Sequence, residues 1–311
     1  MRILVLGGTG MLGHAMFRHL SSRFPETYAT IRQDRARVDT HTFLKSDTVI
    51  DRVDLLDFAA LTEVLHTVHP DVVLNCVAIT KRHEDLRDHV PIITLNALLP
   101  HWLARWCRGN RSRLLTFSTD CVFDGKDGNY DDNSFTNAVD LYGRTKALGE
   151  VRGERALTLR APFIGTELGS GTELLEWFLS QTGAVHGFTN AIYSGVTTLE
   201  LCRVVESMLV AHPDACGIYN VSSEPISKYA LLVLIRDTMQ METRILPDNG
   251  PTCNRSLDSR HFRTAFGYSP PSWAEMIEEL GTFCRHRATL TNGNPGLQNA
   301  PVNRSSDRAN Q

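Results

Sequence analysis

The sequence predicts an α/β fold in which a doubly wound parallel sheet is followed by a smaller C-terminal lobe. Three observations carry this. Short runs of Val, Ile and Leu alternate with amphipathic stretches through the first half of the chain, the signature of βαβ units. The first run opens directly onto a glycine-rich segment at 7–13, the usual strand-to-helix turn of a dinucleotide-binding unit. After Pro162 the pattern loosens into helical stretches around short apolar runs.

The elements follow in order. Strands are expected at 2–6, 27–31, 49–53, 72–76, 114–117 and 156–160, and helices at 11–23, 57–68, 92–108 and 140–154. The first four strands scarcely alternate in polarity, as fits a sheet covered on both faces. Beyond them, helices are expected at 171–182, 197–210, 227–240 and 272–286. We therefore expect a Rossmann-type NAD(P)-binding domain at 1–165, with 192–224 returning to it. A substrate-binding lobe is expected at 166–191 and 225–287. From 288 to 311 the chain, with Thr291-Asn-Gly-Asn-Pro-Gly, is too poor in large apolar residues to bury a core and is expected to be a disordered tail.

Composition removes several classes of function. The 311 residues carry a formal net charge of -3, with 42% hydrophobic and 22% charged residues. These are ordinary values for a globular chain, and the basic excess of a general nucleic-acid or membrane-surface binder is missing. The longest apolar stretch, 71–79, falls far short of the roughly 20 residues that span a bilayer. A signal-peptide core is likewise not apparent, so a cytoplasmic location is expected. Seven scattered cysteines without a C-x-x-C pair argue for reduced thiols rather than a disulfide framework or zinc ribbon. No H-E-x-x-H occurs, His83-Glu84-Asp85 reads as a solvated loop, and no metal site is expected.

Gly7, Gly10 and Gly13, with Met11 and Leu12 between them, would cradle a pyrophosphate at a helix N-terminus, where free N–H groups and the helix dipole favour an anion. The end of the second strand selects the cofactor. It reads Ile31-Arg32-Gln33-Asp34-Arg35. An arginine accommodates the additional phosphate of NADP, so Arg32 favours NADPH, while Asp34 is the competing residue that would restore NADH. Farther on, Tyr142 and Lys146 lie four apart on one expected helix face, within reach of each other. They follow Ser118-Thr119-Asp120, a hydroxyl pair just past the fifth strand. Open α/β sheets bind ligands beyond the carboxyl ends of their strands, so the glycine loop, the hydroxyls and the Tyr/Lys pair converge on one crevice.

With these motifs the chain resembles the extended short-chain dehydrogenase/reductases, and within them the dTDP-4-dehydrorhamnose reductase-like group. The likeness covers about 1–285. It rests on Gly7-x-x-Gly10-x-x-Gly13, Asp54, Asn75-Cys-Val-Ala-Ile-Thr80, Asn96, Ser118-Thr-Asp-Cys-Val-Phe-Asp-Gly125, Tyr142-Gly-Arg-Thr-Lys146 with Gly149-Glu150, and Arg160. Ser194-Gly-Val-Thr-Thr198, Gly217-Ile-Tyr-Asn-Val-Ser-Ser223 and Arg255-Ser-Leu-Asp258 also look like family segments. The resemblance implies that Tyr142 is the general acid, that Lys146 holds the nicotinamide ribose and lowers the tyrosine pKa, and that Thr119 hydrogen-bonds the substrate carbonyl. It further implies Asp54 and Leu55 near the adenine, Val77, Ala78 and Thr80 along the cofactor, and Asn96 in a supporting network. Asp120, Cys121, Val122, Phe163 and Arg255 would contact a nucleotide-sugar substrate. A homodimer fits the group, and some of its members use magnesium at a dimer contact.

Two departures bear on the substrate. Cys121 stands where the rhamnose-pathway reductases usually have tyrosine, and Phe163 where they usually have tryptophan. Cys121 also replaces the glutamate that removes a sugar proton in related dehydratases, which argues against that reaction. GDP-fucose synthase carries cysteine here, paired with a histidine; Glu167 occupies the matching position. An NADPH-dependent reductase of a nucleotide-linked 4-keto-6-deoxy sugar, in glycan or deoxysugar biosynthesis, is the leading expectation. A nucleotide-sugar epimerase or epimerase-reductase and a non-catalytic NADP-binding regulatory subunit are the alternatives. Lys81, Arg82 and Arg255 are candidate partners for the substrate diphosphate, for which a guanidinium fork is suited.

Overall fold

The computed structural model describes residues 1–38, 44, 47–81, 88–169 and 171–292. His83-Glu84-Asp85 and Arg82 lie outside the described residues, as does the expected tail from 293 onward.

In chain order the first half contains β1 (Ile3–Leu6), α1 (Met11–Ser21), β2 (Thr27–Thr30), β3 (Val49–Ile50), α2 (Phe58–Val68), β4 (Val72–Asn75), α3 (Val90–Ile93), α4 (Leu99–Gly109), β5 (Arg113–Ser118), α5 (Leu141–Leu148) and β6 (Ala156–Arg160). The second half contains β7 (Phe163–Ile164), α6 (Leu174–Leu179), β8 (Ala184–Phe188), β9 (Ala191–Tyr193), β10 (Val196–Thr197) and α7 (Thr198–Val210). It continues with β11 (Gly217–Asn220), β12 (Ile226–Ser227), α8 (Lys228–Met239), β13 (Arg244–Asp248), β14 (Cys253–Asn254), α9 (Arg260–Phe266) and α10 (Trp273–Asn292).

Seven strands form one parallel sheet in the order β11-β6-β5-β4-β1-β2-β3. The chain winds outward from β1 in one direction through β2 and β3, and in the other from β4 through β5, β6 and β11. The switch point lies between β1 and β4, where doubly wound sheets open a crevice. Alternation of side chains explains the double cover. Ile3 and Val5 join the core beneath α1 and α7, while Leu4 and Leu6 join the opposite core with Leu61, Leu65, Leu99 and Leu103. All four residues of β1 are fully buried. Around the second half, β12-β9-β14, β8-β13 and β7-β10 form small sheets.

The strand expected at 49–53 shrinks to Val49–Ile50, and four helices depart from their expected boundaries by more than two residues. The single helix expected at 92–108 is instead α3, a π turn over Thr94–Leu98, and α4. Pro100 has no N–H to give the Asn96 carbonyl, so the regular ladder fails there. The Leu99 N–H bonds back to Thr94 instead. The helix expected to reach 154 ends at Leu148, and Gly149 at its C-cap leaves helical geometry with ψ 1°, packed so closely on the Asn96 carbonyl that an added Cβ would lie 1.9 Å from it. The helix expected over 171–182 shortens to six residues. By contrast, α10 runs to Asn292, past the expected 286 and into the segment read as a tail.

Candidate active-site crevice

The glycine loop leaves β1 through Gly7 at φ 83°, a conformation open to glycine and costly to other residues. A Cβ added at Gly13 would lie 2.0 Å from the Gly7 carbonyl oxygen, and one at Gly7 would lie 2.7 Å from Val77 Cγ2. Helix, loop and the chain after β4 are therefore in direct contact. Gly10 caps α1 without any side-chain hydrogen bond, which leaves the first backbone N–H groups available to a ligand. The loop is pinned from β2, where the Thr30 hydroxyl accepts from Gly7 N at 3.3 Å and the Thr30 carbonyl accepts from Gly8 N at 2.8 Å. Met11 is half-buried, and the Leu12 side chain lies in the core.

At the end of β2 the charges are unequal. Asp34 is ion-paired to Arg52 and accepts from Ala36 N at 2.9 Å. Arg35 turns its guanidinium onto the Val49 carbonyl. Arg32 is exposed and makes no ion pair among the described residues. The competing carboxylate is thus neutralised by a neighbour, while the arginine that would meet a 2′-phosphate is unengaged. Nearby, Asp54 is exposed and caps Leu56 N at 3.0 Å, whereas the Leu55 side chain packs inward.

Across the switch point, Asn75 closes the end of β4 by accepting from Val77 N at 3.3 Å. Val77 is half-buried and Ala78 exposed. Asn96, fully buried in the π turn, grips both backbone groups of Ile79 at 2.9 Å and donates to the Thr145 hydroxyl at 3.3 Å. Thus one carboxamide joins the chain after β4 to α5. Thr80 donates to Glu173 at 3.2 Å.

Helix α5 begins at Asp140, which caps Gly143 N at 2.8 Å and pairs with Lys81 at 2.8 Å. Backbone bonding and the Lys81 ammonium hold the Asp140 carboxyl below its usual range against the effect of its partial burial. Gly143 lets the helix settle onto the turn after β5, since a Cβ there would lie 2.2 Å from the Cys121 carbonyl oxygen. Burial, reinforced by Cys121 and Asp120, pushes the Tyr142 phenol well above the usual tyrosine value, with Thr119 opposing the shift. Lys146 is buried and donates to the Phe117 carbonyl at 2.6 Å, and desolvation lowers its pKa to about 8. The expectation that Lys146 depresses the tyrosine is therefore not met in this geometry. Its ammonium is committed to the backbone, and burial governs the phenol.

In the turn after β5, Thr119 accepts from Cys121 N at 3.2 Å and donates to Asp120 at 3.0 Å. Burial raises the Asp120 carboxyl, opposed by Arg255 and the Thr119 bond. Burial also pushes the Cys121 thiol up to about 12. From the second lobe Arg255 donates to the Phe123 carbonyl at 2.9 Å and approaches the Cys121 sulfur at 3.8 Å. Phe163 is half-buried in β7. Val122, expected among the substrate contacts, is instead fully buried with Phe123, Tyr130 and Leu257, supporting the turn from beneath. Glu167, matched in sequence to the epimerase histidine, accepts from Glu173 N at 2.7 Å.

Two groups beside the crevice escaped the sequence reading. Glu150 and Arg160 form a buried fork at 2.6 and 2.7 Å, and Glu150 also accepts from Ser118 at 2.7 Å. Both residues stood among the family motifs, but nothing in their spacing pairs them. Tyr193 on β9 buries a hydroxyl that has no hydrogen-bond partner among the described residues, within the electrostatic influence of Asp120 and Cys121. Its sequence context carries no signal for this.

The family described as the RmlD substrate binding domain matches residues 1–182, more than half of the 311-residue chain. The chain belongs to that family. Among its relatives is a dTDP-4-dehydrorhamnose reductase from Aggregatibacter actinomycetemcomitans, 23% identical over 307 residues, covering 91% of this chain and 99% of that protein. The methionine adenosyltransferase 2 subunit beta of Danio rerio is 28% identical over 254 residues, covering 77% of this chain and 74% of that one. In fold, the chain matches the crystal structure of a dTDP-4-dehydrorhamnose reductase from Bacillus anthracis in complex with NADP, with a TM-score of 0.75 at 18% identity over 91% of this chain and 99% of the other.

Proposed function

We propose that this member of the RmlD family is an NADPH-dependent reductase of a nucleotide-linked 4-keto-6-deoxy sugar. The observation that carries the reading is the Tyr142 phenol, kept protonated by burial beside Thr119 in the crevice that Lys146 and the glycine loop also border. Reduction of a ketone needs a proton donor at the carbonyl oxygen, and a phenol with a raised pKa holds its proton through the working pH range. The names of the relatives support the sugar class.

The residues present suit the cofactor. The uncapped start of α1 at Gly10, Met11 and Gly13 would take its pyrophosphate, and the unengaged Arg32 its 2′-phosphate. Asp54, Val77, Ala78 and Thr80 would border it from the ends of the sheet. NADPH, when bound, supplies a hydride to the carbonyl carbon. Thr119 and Tyr142 orient the carbonyl oxygen, and Tyr142 gives its proton to the developing alkoxide. Lys146, when protonated, adds positive charge beneath that oxygen, and Arg255 with Cys121 and Phe163 lines the substrate side.

Incubation with a panel of nucleotide-linked 4-keto-6-deoxy sugars and NADPH should give stoichiometric NADPH loss and a product two mass units heavier. Tyr142→Phe keeps the ring but removes the donor, so turnover should fall by about 10²–10⁴ while NADPH binding survives. Isomerisation without NADPH loss would point to an epimerase. A second reading is favoured by the likeness to the methionine adenosyltransferase beta subunit: a binding protein that keeps the cofactor site without turnover. It would be supported by tight NADPH binding with every sugar of the panel left unreduced.

A further inference from the structure

Helices α1, α7 and α10 border a cavity of about 280 Å³, at the lower end of the roughly 300–1,000 Å³ usual for ligand sites. Its walls are largely apolar. Leu199 and Cys202 from α7, Ala15 from α1, and Leu280 and Phe283 from α10 supply that surface, and no acidic side chain lines it among the described residues. The one arginine of the lining, Arg18 on α1, is exposed and makes no ion pair among the described residues. Its guanidinium carbon lies 4.9 Å from the centroid of the Phe283 ring. That contact engages the cation and none of its N–H groups, so the planar fork is held over the cavity with its donors still to be used. Glu206, the acid that α7 presents to α1, is taken by His19 at 2.6 Å and Arg23 at 3.4 Å.

We propose that this cavity is a second ligand site, for a small amphipathic carboxylate whose acid group meets Arg18 and whose apolar body lies against Leu199, Leu280 and Phe283. A carboxylate answers the fork in charge and in shape, since its two oxygens can take two parallel N–H···O bonds. A bare anion would leave the apolar walls in water, and a neutral hydrocarbon would leave the arginine without a partner; a molecule with both parts serves both. The site is separate from the reductase reading, because none of the crevice residues assigned above lines the cavity. It nonetheless adjoins the cofactor loop. His14, a buried residue of its wall, directs Nδ1–H to the Gly10 carbonyl at 2.9 Å, and its Nε2 lies 3.4 Å from the Thr166 hydroxyl. The carboxylate would therefore sit behind the start of α1 without using the N–H groups that await a pyrophosphate, and the two ligands should bind together rather than compete.

Isothermal titration of the full chain with octanoate, and with octan-1-ol as the uncharged molecule of equal length, tests the site. Wild type should bind one octanoate per chain, saturably, and octan-1-ol about tenfold more weakly. Arg18→Gln removes the charge at an exposed position and should lose the same tenfold for octanoate, whereas Arg152→Gln, at an exposed position outside the lining, should lose nothing. Leu199→Trp fills the cavity from its half-buried wall and should abolish binding, with circular dichroism checking the fold; Arg18→Gln decides the matter if the tryptophan variant does not fold. Saturating NADPH should leave the octanoate stoichiometry at one. The proposal is overturned by a wild type without saturable octanoate binding, by equal affinity for the alcohol, by undiminished binding in Arg18→Gln or in folded Leu199→Trp, or by displacement with NADPH. A chain that binds no NADPH would sink the cofactor reading separately, while the octanoate titrations still decide the second site.

Discussion

Replacing Glu150 with alanine is the sharpest probe of how the end of β5 is held. Arg160 and Glu150 are only 2% and 6% exposed, so the fork is an ion pair in the interior. Removing one partner of a buried pair costs about 3–5 kcal/mol, because the remaining charge is left without its counterion. Here the remaining guanidinium keeps the Asp132 carbonyl at 3.2 Å and the Phe123 ring at 5.3 Å, which places the cost near the lower end, about 3 kcal/mol. For a domain of this size that is a loss of roughly 6–12 °C in Tm. Calorimetry of Glu150→Ala against wild type reads it directly. Exposed Lys126, paired to Asp124 at 3.3 Å, supplies the control; Lys126→Ala should leave the melting curve in place. The double variant Glu150→Leu with Arg160→Met should recover most of the loss, since apolar residues of similar volume replace the pair. A Glu150→Ala protein melting within about 2 °C of wild type would refute the reasoning.

Further outcomes follow from the cofactor side and the crevice. Arg32→Ala should weaken NADPH by roughly 1.5–3 kcal/mol, or about 10–150-fold, and leave NADH unchanged; isothermal titration with both cofactors checks this, and equal losses for the two would contradict it. Lys146→Met should stabilise the protein at pH 7 by about 2 kcal/mol, the cost of holding a buried ammonium less one hydrogen bond. The folded value is about 8 against an ordinary 10.5. Between these the unfolded chain binds more protons, so wild-type stability rises with pH and the gap to the variant should close in denaturant titrations from pH 8 to 10.5. With the Cys121 thiol held near 12, reduction in heavy water should place no enzyme-dependent deuterium on the carbon beside the carbonyl. Incorporation that disappears in Cys121→Ser would reinstate the epimerase-reductase.

Periodicity revealed the sheet because its strands are buried on both faces, and runs such as Ile3–Leu6 have no other use in water. The glycine loop was legible for a related reason: Gly7 and Gly13 touch each other, so the requirement is local. What periodicity could not reveal was long-range. Pro100 announced a weak point in a helix, but the π turn also needs Gly149 arriving from elsewhere in the chain. Likewise, four-residue spacing brought Tyr142 and Lys146 onto one face, yet the tyrosine environment is set by Thr119, Asp120 and Cys121. The Val122 side chain lies in the core rather than toward the crevice because Asp120–Val122 is a 3₁₀ turn, in which each residue points about 120° from the last, so neighbours in a motif do not share a face. The pairing of Asp34 with Arg52, which bears most on cofactor choice, joins two strand ends whose register no local pattern encodes.

The π turn at Thr94–Leu98 fixes a length as firmly as an active site fixes a residue. Each residue of a helix turns its successor by about 100°, so adding or deleting one here would swing all of α4 around its axis. The buried stripe of Leu99, Leu103 and Cys107 would leave the core or Asn96 would leave Ile79, since both cannot keep their places. The turn therefore acts as a phase setting between the hydrophobic layer and α5, to which Asn96 is bonded through Thr145, and loop-length variation should be confined to other connections.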